Sequence, residues 1–240
     1  MFFKIDNKCN CDIPLISVIV PVFNEEMTID EVLSKLISLK KRMSIEIIVI
    51  DDGSVDDTAN IISKYSEIIF VQHKKNIGKG AAIKTGLAKS SGQIIVIQDA
   101  DLEYDVEQIP LLVEPIFNGR ADVVYGSRFL GKIEGMSLSH NIGNRILSFV
   151  AQILYSKQIT DIMTGHKAFK KQILNLIDLK ERSFEVEIEL TSHIFKNGFK
   201  LAEIPITYKY RSKGFAKINY CHGIRSLIKL FWYKLIILRA

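Results

Sequence analysis

Short apolar runs alternate with longer amphipathic segments through the first hundred residues. The runs at 16–20, 45–50, 68–71 and 94–97 are rich in isoleucine and valine, as in strands that are buried on both faces. After the first run, apolar residues recur at helical spacing, at Ile29, Val32, Leu33, Leu36, Ile37 and Leu39. Strands that alternate with helices predict an α/β fold, with a doubly wound, mostly parallel sheet and helices on both faces.

Polar or glycine-containing segments follow the four predicted strands. In chain order they are Pro21-Val22-Phe23-Asn24-Glu25, Asp51-Asp52-Gly53-Ser54, Asn76-Ile77-Gly78-Lys79-Gly80 and Asp99-Ala100-Asp101. In open α/β sheets, ligands bind beyond the carboxyl ends of the strands. The four segments are therefore predicted to line one ligand site.

The acidic segment after the fourth strand suggests a metal site. Asp99 and Asp101 are two residues apart, so on an extended chain both side chains project to one side, and Glu103 follows. Mg²⁺ and Mn²⁺ prefer carboxylate and phosphate oxygens, and Mg²⁺ usually takes only one or two protein carboxylates. The alternative is a solvated acidic loop that caps the next helix.

The glycine-rich segment at 76–80 does not indicate a dinucleotide cofactor. It follows the third strand, whereas a Gly-x-Gly-x-x-Gly fingerprint would follow the first, and the chain has no phosphate-binding P-loop. Gly78 and Gly80 allow the next helix to begin tightly. Lys79 is a candidate substrate contact, and the alternative is a purely structural lysine.

Composition narrows the class of partner and the compartment. The 240-residue chain has a formal net charge of +5, an excess too small to indicate nucleic acid. Cys9, Cys11 and Cys221 fit neither a disulfide framework nor a zinc site, which indicates a reducing compartment. The polar leader at 1–15 lacks the apolar region of a signal peptide, and no apolar run is long enough to span a membrane. These features predict a cytosolic or membrane-peripheral protein.

Taken together, the four segments resemble the successive motifs of family 2 glycosyltransferases of the GT-A fold. Motifs in the second half are similar to those of the dolichyl-phosphate mannosyltransferase and polyprenyl-phosphate glucosyltransferase branch. These are Tyr125-Gly126-Ser127-Arg128-Phe129, Asp161-Ile162-Met163-Thr164-Gly165, Phe184-Glu185-Val186-Glu187 and Ile204-Pro205-Ile206-Thr207-Tyr208. The resemblance implies a GT-A domain at 16–218, followed by a C-terminal amphipathic helix at 219–240.

The resemblance also implies a nucleoside diphosphate sugar as donor, lying across the ends of the first strands. The residues that it places around the nucleotide and base are Pro21, Phe23, Glu25, Ile50 and Asp52. Those that it places on the metal and diphosphate are Asp99, Ala100 and Asp101. For Asp51 and Asp52, the alternative is capping of the following turn. Glu103 replaces a Gln of some relatives, and is either a third metal ligand or only a nearby charge.

Basic residues complete the predicted donor site. Arg128 follows a predicted fifth strand at 122–125 and could meet a phosphate. Related enzymes use an Arg and a Lys at the places of Arg211 and Lys217 to hold diphosphate. Without the resemblance, the basic residues of this loop would be interpreted as ordinary surface residues. Fixed cations stabilise the charge that develops on a leaving diphosphate. Arg128 and Arg211, together with the predicted metal ligand Asp101, are therefore the predicted catalytic residues.

The resemblance implies a polyprenyl phosphate, dolichyl or undecaprenyl, as acceptor. A phosphate monoester is already ionised near neutral pH, so transfer needs no general base. Candidate contacts to the acceptor phosphate are Arg128, His140, Asn144 and Arg145, although His140 could instead cap a predicted helix at 141–155. Glu185 and Glu187 are interpreted as residues that orient arginines or the chain, and Asp161 and Thr164 as structural.

The C-terminal segment at 223–240 is amphipathic and carries basic residues and a tryptophan, as at a bilayer interface. A second apolar face is predicted at Ile146, Phe149, Val150, Ile153 and Leu154. Packing on the domain or on a membrane-protein partner is the alternative. The resemblance, together with this helix, thus implies an inverting enzyme on the cytoplasmic face of a membrane, which uses Mg²⁺ or Mn²⁺ to move a hexose from GDP-mannose or UDP-glucose. The rival interpretations are transfer to a polysaccharide or other hydroxyl, and a non-catalytic module that binds a nucleotide-sugar.

Overall fold

The computed structural model describes residues 16–211 and 220–239. Within these ranges the strands are β1 (Ile16–Val22), β2 (Ile45–Asp51), β3 (Ile69–Gln72), β4 (Ile94–Ile97), β5 (Val123–Glu134), β6 (Lys167–Lys170) and β7 (Leu201–Lys209). The helices are α1 (Ile29–Lys40), α2 (Thr58–Ser63), α3 (Lys79–Lys89), α4 (Ile109–Phe117), α5 (Leu138–Tyr155), α6 (Lys171–Leu174), α7 (Val186–Lys196) and α8 (Tyr220–Arg239). The predicted leader at 1–15 and the loop that contains Lys217 lie outside the described residues.

The described strands form one sheet in the order β3-β2-β1-β4-β6-β5-β7. All neighbouring strands are parallel except β6, which runs antiparallel to both β4 and β5. The prediction of a mostly parallel α/β sheet is therefore confirmed. Because β1, β2 and β4 are adjacent and parallel, their carboxyl ends lie at one edge of the sheet.

Helices cover both faces of the sheet, because side chains alternate along the buried strands. Val18 and Val20 of β1 belong to the cluster that contains Leu33 of α1, with α2 and α4 on the same face. Ile19 belongs instead to the cluster that contains Ile83 of α3, together with α5, α7 and α8. The continuous apolar runs of the sequence are thus explained by burial on two faces.

Some boundaries differ from those predicted. β5 extends to Glu134, whereas the sequence predicted a strand only at 122–125, so Arg128 lies within the strand and does not follow it. Pairing with β7 carries the strand through an irregularity between Ser127 and Lys132. The helix predicted at 141–155 begins earlier, at Leu138.

The start of α5 also excludes the proposed capping role of His140. The Ser137 hydroxyl accepts a hydrogen bond from the backbone N–H of His140 and caps the helix. A serine oxygen can satisfy an N–H that has no partner in the first helical turn. The alternative interpretation of His140 as the cap was wrong.

α8 packs on the domain through one side. Leu230 and Tyr233 are buried, and the Tyr233 hydroxyl lies within hydrogen-bond distance of both Glu181 and Glu189, at 2.9 and 3.0 Å. Lys229 is paired with Glu181. No helix in the described part of the chain is long and apolar enough to cross a bilayer.

Gly78 and Gly80 are required by the close approach of another backbone segment. A Cβ at Gly78 would lie 2.2 Å from the carbonyl oxygen of Arg182, and one at Gly80 would lie 2.3 Å from that of Glu181. Ala81 also donates its N–H to Arg182. The two glycines therefore let the segment at 181–183 pack against the start of α3. The sequence predicted only that they allow a tight start of the helix.

We expect Gly80→Ala to destabilise the fold by about 2 kcal/mol, because its Cβ would displace the backbone at Glu181. Gly143→Ala in α5 is the matched control, since nothing lies within 4 Å of its Cβ. That substitution should stabilise the protein by about 0.5–1 kcal/mol through helix propensity. Denaturant unfolding measures both changes. Equal effects in the two variants would contradict the close approach at Gly80.

Candidate active site

A cavity of about 650 Å³ opens at the carboxyl ends of β1, β2 and β4. Its location is the one expected for a ligand site in an open α/β sheet. Most of the predicted site residues line it: Pro21, Phe23, Glu25, Asp52, Lys79, Asp99, Ala100, Asp101, Glu103, Arg128, His140, Asn144 and Arg211. The structure thus brings together residues that are far apart in the chain.

Two predicted site residues do not line the cavity. Ile50 is fully buried and packs in a cluster with Ala82 of α3, so its side chain belongs to the core. Arg145 is exposed on α5, and its guanidinium lies 4.4 Å from the centre of the Phe129 ring. Lys217 lies outside the described residues, and its predicted role is untested.

Arg211 is surrounded by carboxylates at the end of β4. Its guanidinium lies 2.5 Å from Asp101, 3.0 Å from Glu103 and 3.4 Å from Glu25. Burial, followed by the charges of Glu103 and Asp99, raises the pKa of Asp101 to about 7. This corner of the cavity therefore holds more negative charge than Arg211 alone compensates.

Asp99 belongs to a different, buried charge network. Its carboxylate lies 2.8 Å from the ammonium of Lys79, which also lies 3.2 Å from Glu187. Burial alone would lower the pKa of Lys79, but Asp99 and then Glu187 outweigh it and raise that pKa. The predicted substrate contact Lys79 is thus engaged with two carboxylates.

Glu187 joins this network to a second buried lysine. The ammonium of Lys167, whose side chain is fully buried, donates to Glu187 and to the carbonyl oxygens of Ile162 and Thr164. Burial lowers the pKa of Lys167. Glu187 therefore holds two lysines, whereas the sequence suggested that it orients arginines or the chain.

The acidic residues fit a divalent cation with one or two protein carboxylates. No group of three His, Cys, Asp or Glu side chains in the described ranges has the arrangement of a metal site. Glu103 accepts hydrogen bonds from Arg211 and from the Tyr208 hydroxyl, so it is committed to protein partners. The raised pKa of Asp101 marks unneutralised charge that a cation would relieve. Asp101, with Asp99 beside it, would hold such an ion, and phosphate oxygens commonly supply further ligands.

Asp52 lies at the other end of this edge of the sheet and is almost fully buried. Its carboxylate accepts hydrogen bonds from the backbone N–H groups of Ile77 and Gly78, and it is paired with His73 at 2.7 Å. Asp52 thus supports the loop before α3 while it faces the cavity. Asp51 binds the N–H and hydroxyl of Ser54, as expected for a residue that caps its own turn.

Arg128 is held by Asp161 in a buried, bidentate ion pair. Nε and Nη2 lie 2.7 and 2.8 Å from the two carboxylate oxygens, and the backbone N–H of Arg128 donates to the same carboxylate. The guanidinium also lies 5.4 Å from the centre of the Tyr208 ring. Asp161, which the sequence identified as structural, therefore fixes the position of a cavity-lining cation.

Another part of the cavity wall is mainly apolar and is formed largely by α5 and α8. His140 and Asn144 line it from α5, and the accompanying apolar residues are Met136, Ile146, Leu147, Met163, Ile224 and Leu227. The cavity wall thus combines charged side chains with an apolar part that is suited to hydrocarbon.

Sequence reasoning missed His73 and Lys167. Each acts through a partner about 20 residues away, Asp52 in one case and Glu187 in the other, and neither lies in a motif. The one signal in the sequence that could have found them is a charged residue directly beside residues that are predicted to be buried. Lys167, followed directly by Ala168 and Phe169 in a buried strand, carries that signal.

A mostly parallel sheet whose central strand β4 ends in acidic residues that line a cavity is compatible with the GT-A fold. Residues 17–177 match the family described as Glycosyl transferase family 2. The chain belongs to this family and is a glycosyltransferase.

Two relatives of known activity are similar over most of the chain. The dolichol-phosphate mannosyltransferase of Pyrococcus furiosus is 30% identical over 212 residues, which are 85% of this chain and 59% of that relative's length. The UDP-N-acetylglucosamine–dolichyl-phosphate N-acetylglucosaminyltransferase of Methanococcus voltae is 29% identical over 92% of this chain and 96% of its own.

Solved structures confirm the fold. Glucosyl-3-phosphoglycerate synthase from Mycobacterium tuberculosis, in complex with Mn²⁺, UDP and phosphoglyceric acid, superposes with a TM-score of 0.76. It is 22% identical and covers 93% of this chain and 78% of its own. The same protein has also been solved with Mg²⁺ and UDP, with a TM-score of 0.73 to this chain.

Proposed function

We propose that the protein transfers a hexose, with inversion, from a nucleoside diphosphate sugar to a polyprenyl phosphate, using Mg²⁺ or Mn²⁺. One observation carries the proposal: a single cavity is charged beside Asp101 and Arg211 and apolar between α5 and α8. With a divalent cation bound at Asp101, a diphosphate suits the charged part, and an isoprenoid chain suits the apolar part. Dolichyl phosphate is also the acceptor named for both relatives.

The donor end supports stabilisation of a leaving diphosphate. The cation, when bound by Asp101, supplies electrostatic stabilisation of phosphate oxygens. Arg211 lies beside Asp101, and Arg128 is held in place by Asp161, so both guanidinium groups are fixed at the cavity wall and, with the cation, can contribute positive charge there. Preorganised charges of this kind need no rearrangement as the sugar bond breaks.

The carboxylates around the cavity favour an acceptor that is already ionised. Each cavity-lining carboxylate in the described ranges is paired with a basic side chain: Glu25, Asp101 and Glu103 with Arg211, Asp52 with His73, and Asp99 and Glu187 with Lys79. A hydroxyl acceptor would need a general base, and these carboxylates are already engaged with basic side chains. A phosphate monoester needs no general base, because it carries negative charge at neutral pH.

The outer surfaces of α5 and α8 support docking on a lipid bilayer. We define the α5–α8 face as the set of exposed apolar residues on these two helices: Leu138, Ile142, Ile146, Phe149, Ile153, Ile224, Ile228, Phe231, Trp232, Leu235 and Ile236. Ile146 and Ile224 belong to this face and also line the cavity, so the cavity opens onto it. Exposed Arg145 and Arg225 lie on the same helices and would meet anionic headgroups. Val150 and Leu154, which the sequence assigned to this face, instead pack partly buried against the core.

We expect the double substitution Ile228→Glu, Trp232→Glu to reduce flotation with anionic liposomes by about tenfold, because two large side chains would lose burial in the bilayer interface. Leu111→Glu is the matched control, since Leu111 is exposed on α4, which covers the opposite face of the sheet. The control should float like the unchanged protein. Equal flotation of the double variant would remove the membrane from the proposal.

The transfer itself is tested with radiolabelled GDP-mannose and UDP-glucose and a short polyprenyl phosphate. We expect transfer with Mn²⁺ or Mg²⁺, loss of transfer in EDTA, and recovery when the metal is restored. Arg211→Ala should weaken donor binding by about tenfold, because the guanidinium is the nearest described cation to Asp101. Transfer to a free sugar hydroxyl but not to the lipid phosphate would overturn the proposed acceptor.

A further inference from the structure

His73 lies behind the cavity wall, and the chemistry described above does not use it. Its side chain is 12% exposed, and both ring nitrogens have partners. Nδ1 lies 2.7 Å from an oxygen of Asp52, and Nε2 lies 2.9 Å from the Thr85 hydroxyl on α3. Asp52 lines the cavity whereas His73 does not. The imidazole therefore acts on the cavity only through Asp52.

The partners of Asp52 fix the direction of these hydrogen bonds. The backbone N–H groups of Ile77 and Gly78 point to its carboxylate, at 3.1 and 2.7 Å. Peptide N–H groups can only donate, so the carboxylate is held as an acceptor. His73 then donates from Nδ1, and its Nε2 lies within hydrogen-bond distance of the Thr85 hydroxyl, which can either donate or accept.

We propose that His73 is a positioning residue that fixes the Asp52 carboxylate as a hydrogen-bond acceptor at the nucleobase end of the cavity. The inference rests on the proposed function, which puts the donor's base beside Asp52. A fixed acceptor selects bases that present a ring N–H, as uracil, thymine and guanine do. Cytosine presents a ring nitrogen that is itself an acceptor, so the two lone pairs would face each other.

Calorimetric titration of the full chain with UDP, GDP and CDP, in Mn²⁺, tests this role. His73→Leu should weaken binding of UDP or GDP, whichever the unchanged protein prefers, by about tenfold. Inorganic pyrophosphate, which has no base, should bind both proteins equally. His73→Asn should stay within about threefold, because its amide N–H can replace Nδ1.

Gln72→Met is the matched control for these variants. Gln72 precedes His73 and donates to Asp51, a carboxylate that does not line the cavity. Its nucleotide affinity should stay within about twofold of the unchanged protein.

The role of His73 would be overturned if His73→Leu bound UDP or GDP as tightly as the unchanged protein does, or if it lost as much affinity for pyrophosphate as for the nucleotide. It would also be overturned if the unchanged protein bound CDP as tightly as UDP and GDP. If His73→Leu does not fold, His73→Gln replaces it, since the longer amide reaches toward Thr85 and not toward Asp52. Equal affinity of the Gln and Asn variants would then overturn the inference. A protein that binds no nucleoside diphosphate would overturn the proposed function itself.

Discussion

Replacing Asp101 with asparagine should lower the rate of sugar transfer by about a thousandfold and should not destabilise the protein. The loss of activity is expected because the substitution removes the carboxylate that would bind the metal, and the metal would in turn bind the diphosphate. Burial and the neighbouring charges of Glu103 and Asp99 raise the pKa of Asp101 to about 7, so its ionised form is unfavourable in the folded chain. Transfer of labelled donor and thermal unfolding measure the two effects.

The sign of the stability effect depends on pH. The folded protein holds the Asp101 proton more tightly than the unfolded chain does, so metal-free protein loses stability as pH rises from about 4 to about 7. Asparagine does not titrate, so the stability of Asp101→Asn relative to the unchanged, metal-free protein should increase from about pH 4 to about pH 7.

Asp105→Asn is the control for Asp101→Asn. Asp105 accepts from the backbone N–H of Glu107 and does not line the cavity, so transfer should stay within about twofold. Undiminished transfer by Asp101→Asn would sink the catalytic assignment.

Glu187→Leu should give the largest loss of stability, about 3–5 kcal/mol. The substitution leaves Lys167, which has no exposed surface, without its carboxylate, and removes one of the two carboxylates of Lys79. In a chain of this size the melting temperature should fall by about 10 °C. Differential scanning calorimetry measures the change.

The loss should be smaller at pH 10 than at pH 7. Burial already lowers the pKa of Lys167, and removal of Glu187 lowers it further, so the cost of charging the lysine appears as pH falls below about 10. Adding Lys167→Met should recover part of the stability, because an apolar side chain needs no partner there. Glu31→Leu is the control, since Glu31 is half-exposed and pairs with Lys35 on the surface of α1. A loss of the same size in that variant would contradict the account.

The sequence predicted local features well, because their causes are local. The run at 94–97 matches β4, and the acids that follow it line the cavity. The length of β5 could not be predicted, because residues beyond Arg128 do not alternate and the strand continues only through pairing with β7. A Cβ at Gly131 would lie 2.0 Å from the Ile206 carbonyl oxygen, which shows how closely the two backbones approach.

Pairing between distant charges was equally hidden. Arg128 and Asp161 were each identified, but only the fold shows that one holds the other. Glu187 was interpreted as an orienting residue, and the structure supplies its partners, Lys79 and Lys167. One sequence gives the residue types that a site needs, whereas their pairing depends on chain topology.

The contact of the 181–183 segment with Gly78 and Gly80 limits how this enzyme can diverge. The carbonyl oxygen of Glu181 faces Gly80. The side-chain carboxylate of Glu181 accepts hydrogen bonds from Lys229 and Tyr233 of α8. Under the proposed membrane docking, a mutation that moves α8 to suit another lipid composition would shift this segment against Gly78 and Gly80, where the backbones leave no room for a Cβ. If α8 docks on a bilayer as proposed, adaptation to a new membrane and retention of the loop before α3 are not independent, and such changes should accumulate in the exposed side chains of α8 before they alter its path.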